Sequence, residues 1–309
     1  MEYEEVTDVI IRKNLRVSEL IELYSKIHGF NASHIGVAAK ILVEGIKNSD
    51  LRFLAFTGNL IATGLRGIIS QLIDNKYFNV IITTCGAVDH DIARSLGGKY
   101  IKGSFFVDDL ELHEKGIHRL GNVFIPKDSY GPIIEKFTKS LINELVKERK
   151  EWSVSEVLHK VGERLKEDKY SFLGAAFRSN AQVFVPGIVD GAFGTDLFIE
   201  SQFTGFKLDI LSDLKKLSDL VFSSKVSTAL IIGGGISKHH TIWWNQFKGG
   251  LDYAVYITTA IEWDGSLSGA RTHEAISWGK IGTKAKHITV YGDATVILPI
   301  IAAYIVDST

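Results

Sequence analysis

Cysteine is nearly absent. Cys85 is the single one in 309 residues, so no internal disulfide can form, and a reducing, cytoplasmic setting is expected. An excess of either charge is absent too. The chain has 35 Lys and Arg against 36 Asp and Glu, a net charge of −1, which gives no footing for nucleic-acid or anionic-membrane partners. No apolar run is long enough to span a bilayer: Ala294–Val306, the most apolar, falls short of the roughly 18 residues required, and Pro299 interrupts it. It reads as a buried or subunit-facing helix. The start, Met1-Glu2-Tyr3-Glu4-Glu5, is acidic and lacks the apolar segment of a secretory signal. Internal repeats, low-complexity tracts and linkers are missing as well. His239 and His240 are adjacent rather than four apart, and His273-Glu274 has no second histidine at the required place, so no metal is expected.

What is present is apolar enough to fold. Apolar residues make up 45% of the chain and charged residues 23%, a balance that excludes disorder. Residues 1–50 carry two amphipathic helical patterns, from Val17 and from Ser33, the second with a cap at Asn31 or Ser33. Then strands alternate with helices. Phe53–Thr57 reads as a buried strand, Gly58-Asn59 as a turn and Leu60–Leu72 as a helix; Asn79–Thr84, Cys85-Gly86 and Asp89–Leu96 repeat the order. Residues 97–127 look irregular, an excursion from the sheet. Helices are expected at Ser129–Arg149 and Ser153–Leu165, where Ser153 and Glu156 match a capping box. Further strands fall at Val183–Pro186, Ala229–Ile232, Tyr253–Thr258 and His287–Tyr291, with a helix at Leu208–Leu220. Alternation of this kind predicts an α/β fold with a parallel sheet flanked by helices, in one continuous domain over 1–309 with residues 1–50 as an N-terminal helical extension.

Ligands of parallel sheets collect at the carboxyl ends of strands. Small-residue turns stand at such ends here: Gly58-Asn59, Thr84-Cys85-Gly86, Asp190-Gly191, Gly233-Gly234, Thr259-Ala260 and Asp293-Ala294. Glycines at strand ends let backbone amides approach a phosphate, and the following helix adds its positive end, so a dinucleotide fits; tight packing turns explain any one of them as well. No strict G-x-G-x-x-G is present. Lys280 follows Trp278-Gly279. Buried beside an aromatic wall, its amine is available for imine chemistry; at a solvated helix end it is an ordinary lysine. His239, just past the triple glycine, is either a proton carrier or a histidine satisfied by hydrogen bonds. Glu274 and Trp278, four apart, share a helix face that suits an alkyl amine, or are a surface acid and a core ring. Cys85 reads as a small turn residue before it reads as a nucleophile.

Long C-terminal motifs carry a family resemblance. Gly233-Gly234-Gly235-Ile236-Ser237-Lys238-His239-His240, Asp252-Tyr253-Ala254-Val255-Tyr256-Ile257, Asp264-Gly265-Ser266 with Ser268-Gly269-Ala270-Arg271, and Glu274-Ala275-Ile276-Ser277-Trp278-Gly279-Lys280 resemble deoxyhypusine synthase. The match reaches Asn59-Leu60-Ile61, Thr83-Thr84, Arg119-Leu120-Gly121-Asn122, Asp190-Gly191 and Tyr291-Gly292-Asp293-Ala294, covering most of residues 50–306. The resemblance implies a Rossmann-like fold, bound NAD, and a cytoplasmic homotetramer with sites at subunit interfaces. It implies NAD-dependent transfer of the aminobutyl group of spermidine to a lysine of translation factor five-A, through an enzyme-lysine imine. It makes Lys280 the imine-forming lysine and His239 the acid/base beside it. It assigns Asp89, His90, Tyr256, Gly265, Ser266, Glu274 and Trp278 to the polyamine. It assigns Gly58, Asn59, Thr84, Cys85, Gly86, Asp190, Gly234, Thr259, Ala260, Asp264, Ser268, Asp293 and Ala294 to NAD. Three positions depart from the animal and fungal pattern, which has acids where this chain has Leu267, Thr195 and His90; Asp89, Glu274 and Asp196 are the candidates to replace them. This points to an archaeal-type branch that keeps the chemistry and alters the amine contacts. Two other functions stand beside this one: homospermidine-type transfer to a free diamine, and a catalytically silent NAD-binding scaffold.

Overall fold

A computed structural model describes residues 5–309. The acidic Met1–Glu4 part of the start lies outside the described residues. The chain divides into two compact units, residues 1–55 with 218–309, and residues 56–217. In chain order the elements are α1 (Val17–Ile27), α2 (Ala32–Asn48), β1 (Leu51–Phe56), α3 (Leu65–Asp74), β2 (Val80–Ile82) and α4 (Cys85–Ser95). Next come β3 (Ile101–Lys102), α5 (Asp109–Glu114), β4 (Ile117–Leu120), β5 (Val123–Pro126), α6 (Gly131–Glu148), β6 (Glu151–Ser153), α7 (Val154–Leu165) and α8 (Phe172–Ser179). Then follow β7 (Gln182–Phe184), α9 (Ala192–Thr204), β8 (Lys207–Asp209), α10 (Ile210–Ser223), β9 (Ser227–Ile232), α11 (Gly235–Gln246), β10 (Leu251–Thr258), α12 (Thr272–Ser277), β11 (Ile281–Tyr291) and α13 (Ala294–Ser308).

Six strands form one sheet in the order β11-β10-β9-β1-β2-β7. Counted from β1, the chain steps outward to β2 and β7 on one side, then returns to lay β9, β10 and β11 on the other. That is the doubly wound order of an α/β sheet with a switch point beside its first strand. The pairs β10–β11, β10–β9 and β2–β7 are parallel. All six residues of β9 are buried, as are all but Arg52 in β1, which is why these strands read as continuous apolar runs. The expected α/β class with a parallel sheet is therefore the observed one.

In the unit of residues 1–55 and 218–309, α2 lies close against the sheet: Gly45 leaves no room for a Cβ beside Thr228, and Ser49 Oγ lies 2.6 Å from Thr228 Oγ1. Asn31 stands at the N-cap of α2, but its side chain does not cap the helix. It turns instead to the last residue of the edge strand, accepting from Tyr291 N at 3.2 Å and donating to Tyr291 O. β11 begins at Ile281, earlier than expected, and its register against β10 jumps between Leu251 and Tyr253, so residues 282–285 bulge out of the ladder. α13 buries Ile297, Leu298, Ile301, Ala302 and Ile305 and leaves Val296 and Val306 exposed. No helix among the described residues is long and apolar enough to cross a membrane.

In the unit of residues 56–217, the stretch 97–127 is more ordered than expected. It holds a three-stranded antiparallel sheet, β3-β5-β4, with α5. Its strands have only two to four residues, too short to show an alternating pattern in sequence. The capping box at α7 is present, with Glu156 N donating to Ser153 Oγ at 3.3 Å and Ser153 N to Glu156 Oε2 at 2.8 Å. A buried carboxylate joins three helices: Asp91 of α4 accepts from Arg66 Nε of α3 at 2.6 Å, and from Ser171 Oγ and Leu173 N at the start of α8 at 2.7 and 3.0 Å. Asp91→Ala leaves Arg66 with Asp168 as its one carboxylate, beside the Ser95 hydroxyl, and strips Ser171 Oγ and Leu173 N of their acceptor. The expected loss is about 3–5 kcal/mol of unfolding free energy, read from urea denaturation. A loss under about 1 kcal/mol, the level of an exposed pair, would contradict the account.

Candidate functional site

Two glycine turns shape the site in the unit of residues 1–55 and 218–309. β9 ends at Ile232, and Gly233 and Gly235, at φ +80° and +64°, bend the chain into α11. Between them Gly234 lies so close to Ser268 that a Cβ would overlap its Cα and side chain. Gly233 N donates to Ile257 O at 2.8 Å, tying the turn to β10. The second turn ends α12. Lys280 N reaches back to Ala275 O, and Gly279 N to Ile276 O, both at 2.9 Å, with Gly279 at φ +67°. This paired closure is a Schellman turn, with glycine at the left-handed position that L side chains disfavour. It reverses the chain after Trp278 and starts β11, where Leu251 N donates to Lys280 O at 3.1 Å. Lys280 is thereby turned inward and is 8% exposed, while Trp278 stays 64% exposed outside it.

One pocket gathers the predicted residues of this unit. Tyr256, Glu274, Trp278 and Lys280 line it together with Lys238, Ile242, Leu267, Ala270, Arg271 and Ala275. Glu274 and Trp278 are exposed, at the rim; Tyr256 and Lys280 are buried. Lys280 Nζ lies 5.0 Å from the Trp278 ring centroid and 6.0 Å from that of Trp243. No carboxylate stands within ion-pair distance of that Nζ among the described residues. His239, on the exposed face of α11, stacks on Trp243 at 5.6 Å and feels the Lys280 charge; burial and then that charge hold its imidazole below the ordinary 6.5. It is thus neutral at pH 7 and able to accept a proton.

Lys238 was quoted with the glycine motif but given no role in the sequence. It lies in the helical series Lys238, Thr241, Ile242, Asn245, all buried, and that spacing was the available signal. It is 1% exposed; its Nζ donates to Ala270 O at 2.7 Å and sits 4.1 Å from the Tyr256 ring centroid. Burial pulls its pKa down to about 8. The Tyr256 hydroxyl is buried and has no hydrogen-bond partner among the described residues.

The other predicted residues of this unit lie on loops at strand ends. Thr259 and Ala260 follow β10, with Ala260 N donating to Thr258 Oγ1 at 3.1 Å. Asp264 accepts from Ser266 N at 2.7 Å across Gly265, and both of those residues are exposed. Asp293 caps α13, its first residue being Ala294, by accepting from Thr295 N at 2.8 Å.

In the unit of residues 56–217, Gly58 and Asn59 form a short 3-10 turn after β1, and Thr84 is the N-cap of α4, followed by Cys85 and Gly86. A Cβ on Gly86 would meet nothing within 4 Å, and neither Thr84 nor any other side chain caps that helix. Asp89 is 1% exposed and committed elsewhere. It accepts from Ala192 N and Phe193 N at 3.0 and 2.8 Å, capping α9, and from the Tyr130 hydroxyl at 3.0 Å. Burial pushes its carboxyl above the usual range, and the neighbouring Cys85 thiol far upward, so Cys85 is no thiolate nucleophile. His90 is drawn down to about 4 by burial, with Arg94 adding to the effect, and its Nδ1 lies 2.7 Å from the Tyr100 hydroxyl. Asp190 and Thr195 are exposed, and burial raises Asp196 to about 6, helped by Glu135. No cluster of three or more potential metal-binding side chains is found among the described residues.

A family model described as deoxyhypusine synthase matches residues 19–305. Among curated proteins, a "Probable deoxyhypusine synthase" of Sulfolobus acidocaldarius is 56% identical over 299 residues, 96% of each chain. One of the same name from Aeropyrum pernix is 55% identical over 301 residues, 97% of each. The crystal structure of a candidate deoxyhypusine synthase from Entamoeba histolytica superimposes with a TM-score of 0.66 at 22% identity, covering 94% of this chain and 93% of that one, a likeness of fold.

A lysine whose pKa falls from 10.5 to about 8 on burial costs the fold its charge below pH 8, and that cost is relieved as pH rises from 8 to 10.5, for about 3 kcal/mol at most. Lys238→Met removes the effect. Comparing urea midpoints at pH 7.5 and pH 10, the unsubstituted protein is expected to gain stability relative to Lys238→Met. Parallel changes in the two would place the Lys238 amine in water.

Proposed function

The chain belongs to the deoxyhypusine synthase family and is an enzyme of that family; from this we propose that it transfers the aminobutyl group of spermidine to a lysine of translation factor five-A, through an imine on Lys280. The observation that carries the reading is Lys280 itself: a buried amine with no ion-pair partner among the described residues, beside two tryptophans and a neutral histidine.

NAD fits the residues present. α11 and α4 begin at strand-end turns with glycine where a phosphate would approach, and neither has a side-chain cap on its first amides. Gly233 and Gly235 take conformations that favour glycine, and Ser268 stands against Gly234. NAD, when bound, supplies hydride acceptance from the carbon beside the secondary amine and returns the hydride at the end. By the family reading we assign Gly234, Thr259, Ala260, Asp264, Ser268, Asp293 and Ala294 to holding it; the same reading names Gly58, Asn59, Thr84, Cys85, Gly86 and Asp190.

The rest is done by side chains. Lys280 brings its amine into the pocket beside the Trp278 and Trp243 rings. That amine adds to the carbon of the oxidised donor, and 1,3-diaminopropane leaves as the C–N bond breaks. The Trp278 ring shields the resulting Lys280 imine from water. His239 takes up and returns the protons of the addition and elimination steps. Glu274 holds an ammonium of the donor at the rim, beside the Trp278 face. A lysine of the protein acceptor then displaces Lys280 from the imine.

The assembly reading is a cytoplasmic homotetramer. In its support, α9 and the start of α10 present Phe198, Ile199, Phe203, Ile210 and Leu211 to solvent in the single chain, Phe203 at 82% exposure. Large exposed apolar residues on neighbouring elements mark an interface.

Borohydride added with NAD and labelled spermidine should leave an aminobutyl adduct on Lys280, found by peptide mass spectrometry, and Lys280→Ala should carry none. An adduct persisting in Lys280→Ala moves the nucleophile elsewhere, and label passing only to putrescine, not to translation factor five-A, replaces the acceptor. By sedimentation the protein is expected as a tetramer and Phe203→Glu as smaller species; a monomeric unsubstituted protein would end the assembly reading.

A further inference from the structure

The lining that this chain itself supplies around Lys280 is short of negative charge. Lys238, Lys280 and Arg271 line it, and Glu274 is the one carboxylate among its lining residues. Arg271 is paired with Glu262 and lies 5.4 Å from the Tyr291 ring centroid, so it is already engaged. His239, at the edge, brings no negative charge. Leu267 forms part of an apolar wall with Ile242 and Ala275. Beyond Glu274, the acceptor that stands out is the buried, unpartnered Tyr256 hydroxyl. The space is small, about 30 Å³.

A linear triamine brings three basic nitrogens. A buried cation is tolerated only with an opposite charge or a full set of acceptors. Among the lining residues Glu274 can answer one terminal ammonium and the Tyr256 hydroxyl one N–H donor, and no further carboxylate remains for a third charged nitrogen. Resting on the reading of Lys280 as the capturing amine, we propose that this pocket reads the charge at one end of its amine donor only, and that Leu267 is the specificity-determining residue. Its donors are linear polyamines with one free terminal ammonium and an internal secondary amine. Charge at the other terminus is not required, so a triamine acylated at that end is also a donor.

The test uses the full-length enzyme with NAD, its protein acceptor, and spermidine, N1-acetylspermidine or N8-acetylspermidine. Two things are read: the borohydride-trapped adduct on Lys280, and kcat/KM from release of the amine leaving group. Expected is an adduct with spermidine and with one acetylated form, the latter at a kcat/KM within about threefold of spermidine, the scale of a weak rim contact. Leu267→Asp should turn the ratio against the acetylated donor by about fivefold or more, as one added ion pair does, while Leu267→Asn, similar in size and uncharged, keeps the original ratio. Trapping with spermidine but with neither acetylated form, or a ratio unmoved by Leu267→Asp, overturns this proposal and leaves Lys280 in its role. Absence of an adduct with spermidine itself overturns the underlying reading.

Discussion

The left-handed turn at Gly279 is the constraint on which the candidate site depends. A helix must satisfy its last carbonyls, and α12 does so by folding Gly279 and Lys280 back onto Ile276 and Ala275. The same two hydrogen bonds that close the helix carry Lys280 from a solvent-facing helix end into the first position before β11. The alternatives left open in the sequence, a solvated lysine at a helix terminus or a buried amine beside an aromatic wall, are thus separated by one backbone conformation. Without it, Trp278 and Lys280 would continue the helical path, and the amine would not lie under the ring.

Much of this was legible because the strongest sequence signals have local causes. The runs Phe53–Phe56 and Ala229–Ile232 are apolar throughout because both faces of those strands are covered, and they marked the sheet. The capping box at Ser153 is a four-residue event and was read from four residues. Glu274 and Trp278 were placed on one helix face by their spacing, and both line the one pocket. What escaped was decided at long range. The β3-β5-β4 sheet is held by pairing between strands too short to pattern. α9 was missed because its apolar residues follow no helical stripe: Phe193 and Leu197 are buried while Phe198, Ile199 and Phe203 are exposed. Asn31, read with Ser33 as the candidate cap, does stand at the N-cap of α2, yet a strand more than two hundred residues on takes its side chain.

Lys238 and Asp89 are opposite lessons about charge. A lysine in a helix usually extends to water, so Lys238 drew no attention, although its spacing with Thr241, Ile242 and Asn245 placed it on the covered face. Its amine is kept there by one carbonyl and one aromatic ring, neither of which carries the full charge a cation leaves behind in water, and its lowered pKa is the consequence. Asp89 was a candidate partner for a polyamine. Its oxygens instead answer the first amides of α9 and the Tyr130 hydroxyl.

That commitment bears on how a cation can be read. A carboxylate that caps a helix from a buried position has donors on both oxygens and a raised pKa, so it offers an incoming ammonium neither free lone pairs nor a dependable charge. Glu274 is placed differently: it stands exposed at a pocket rim, with an indole ring four residues on. Counting acids in the sequence therefore overstates the negative charge available to an amine. The useful count is of carboxylates not already spent on the backbone, and around Lys280 the pocket lining supplies one.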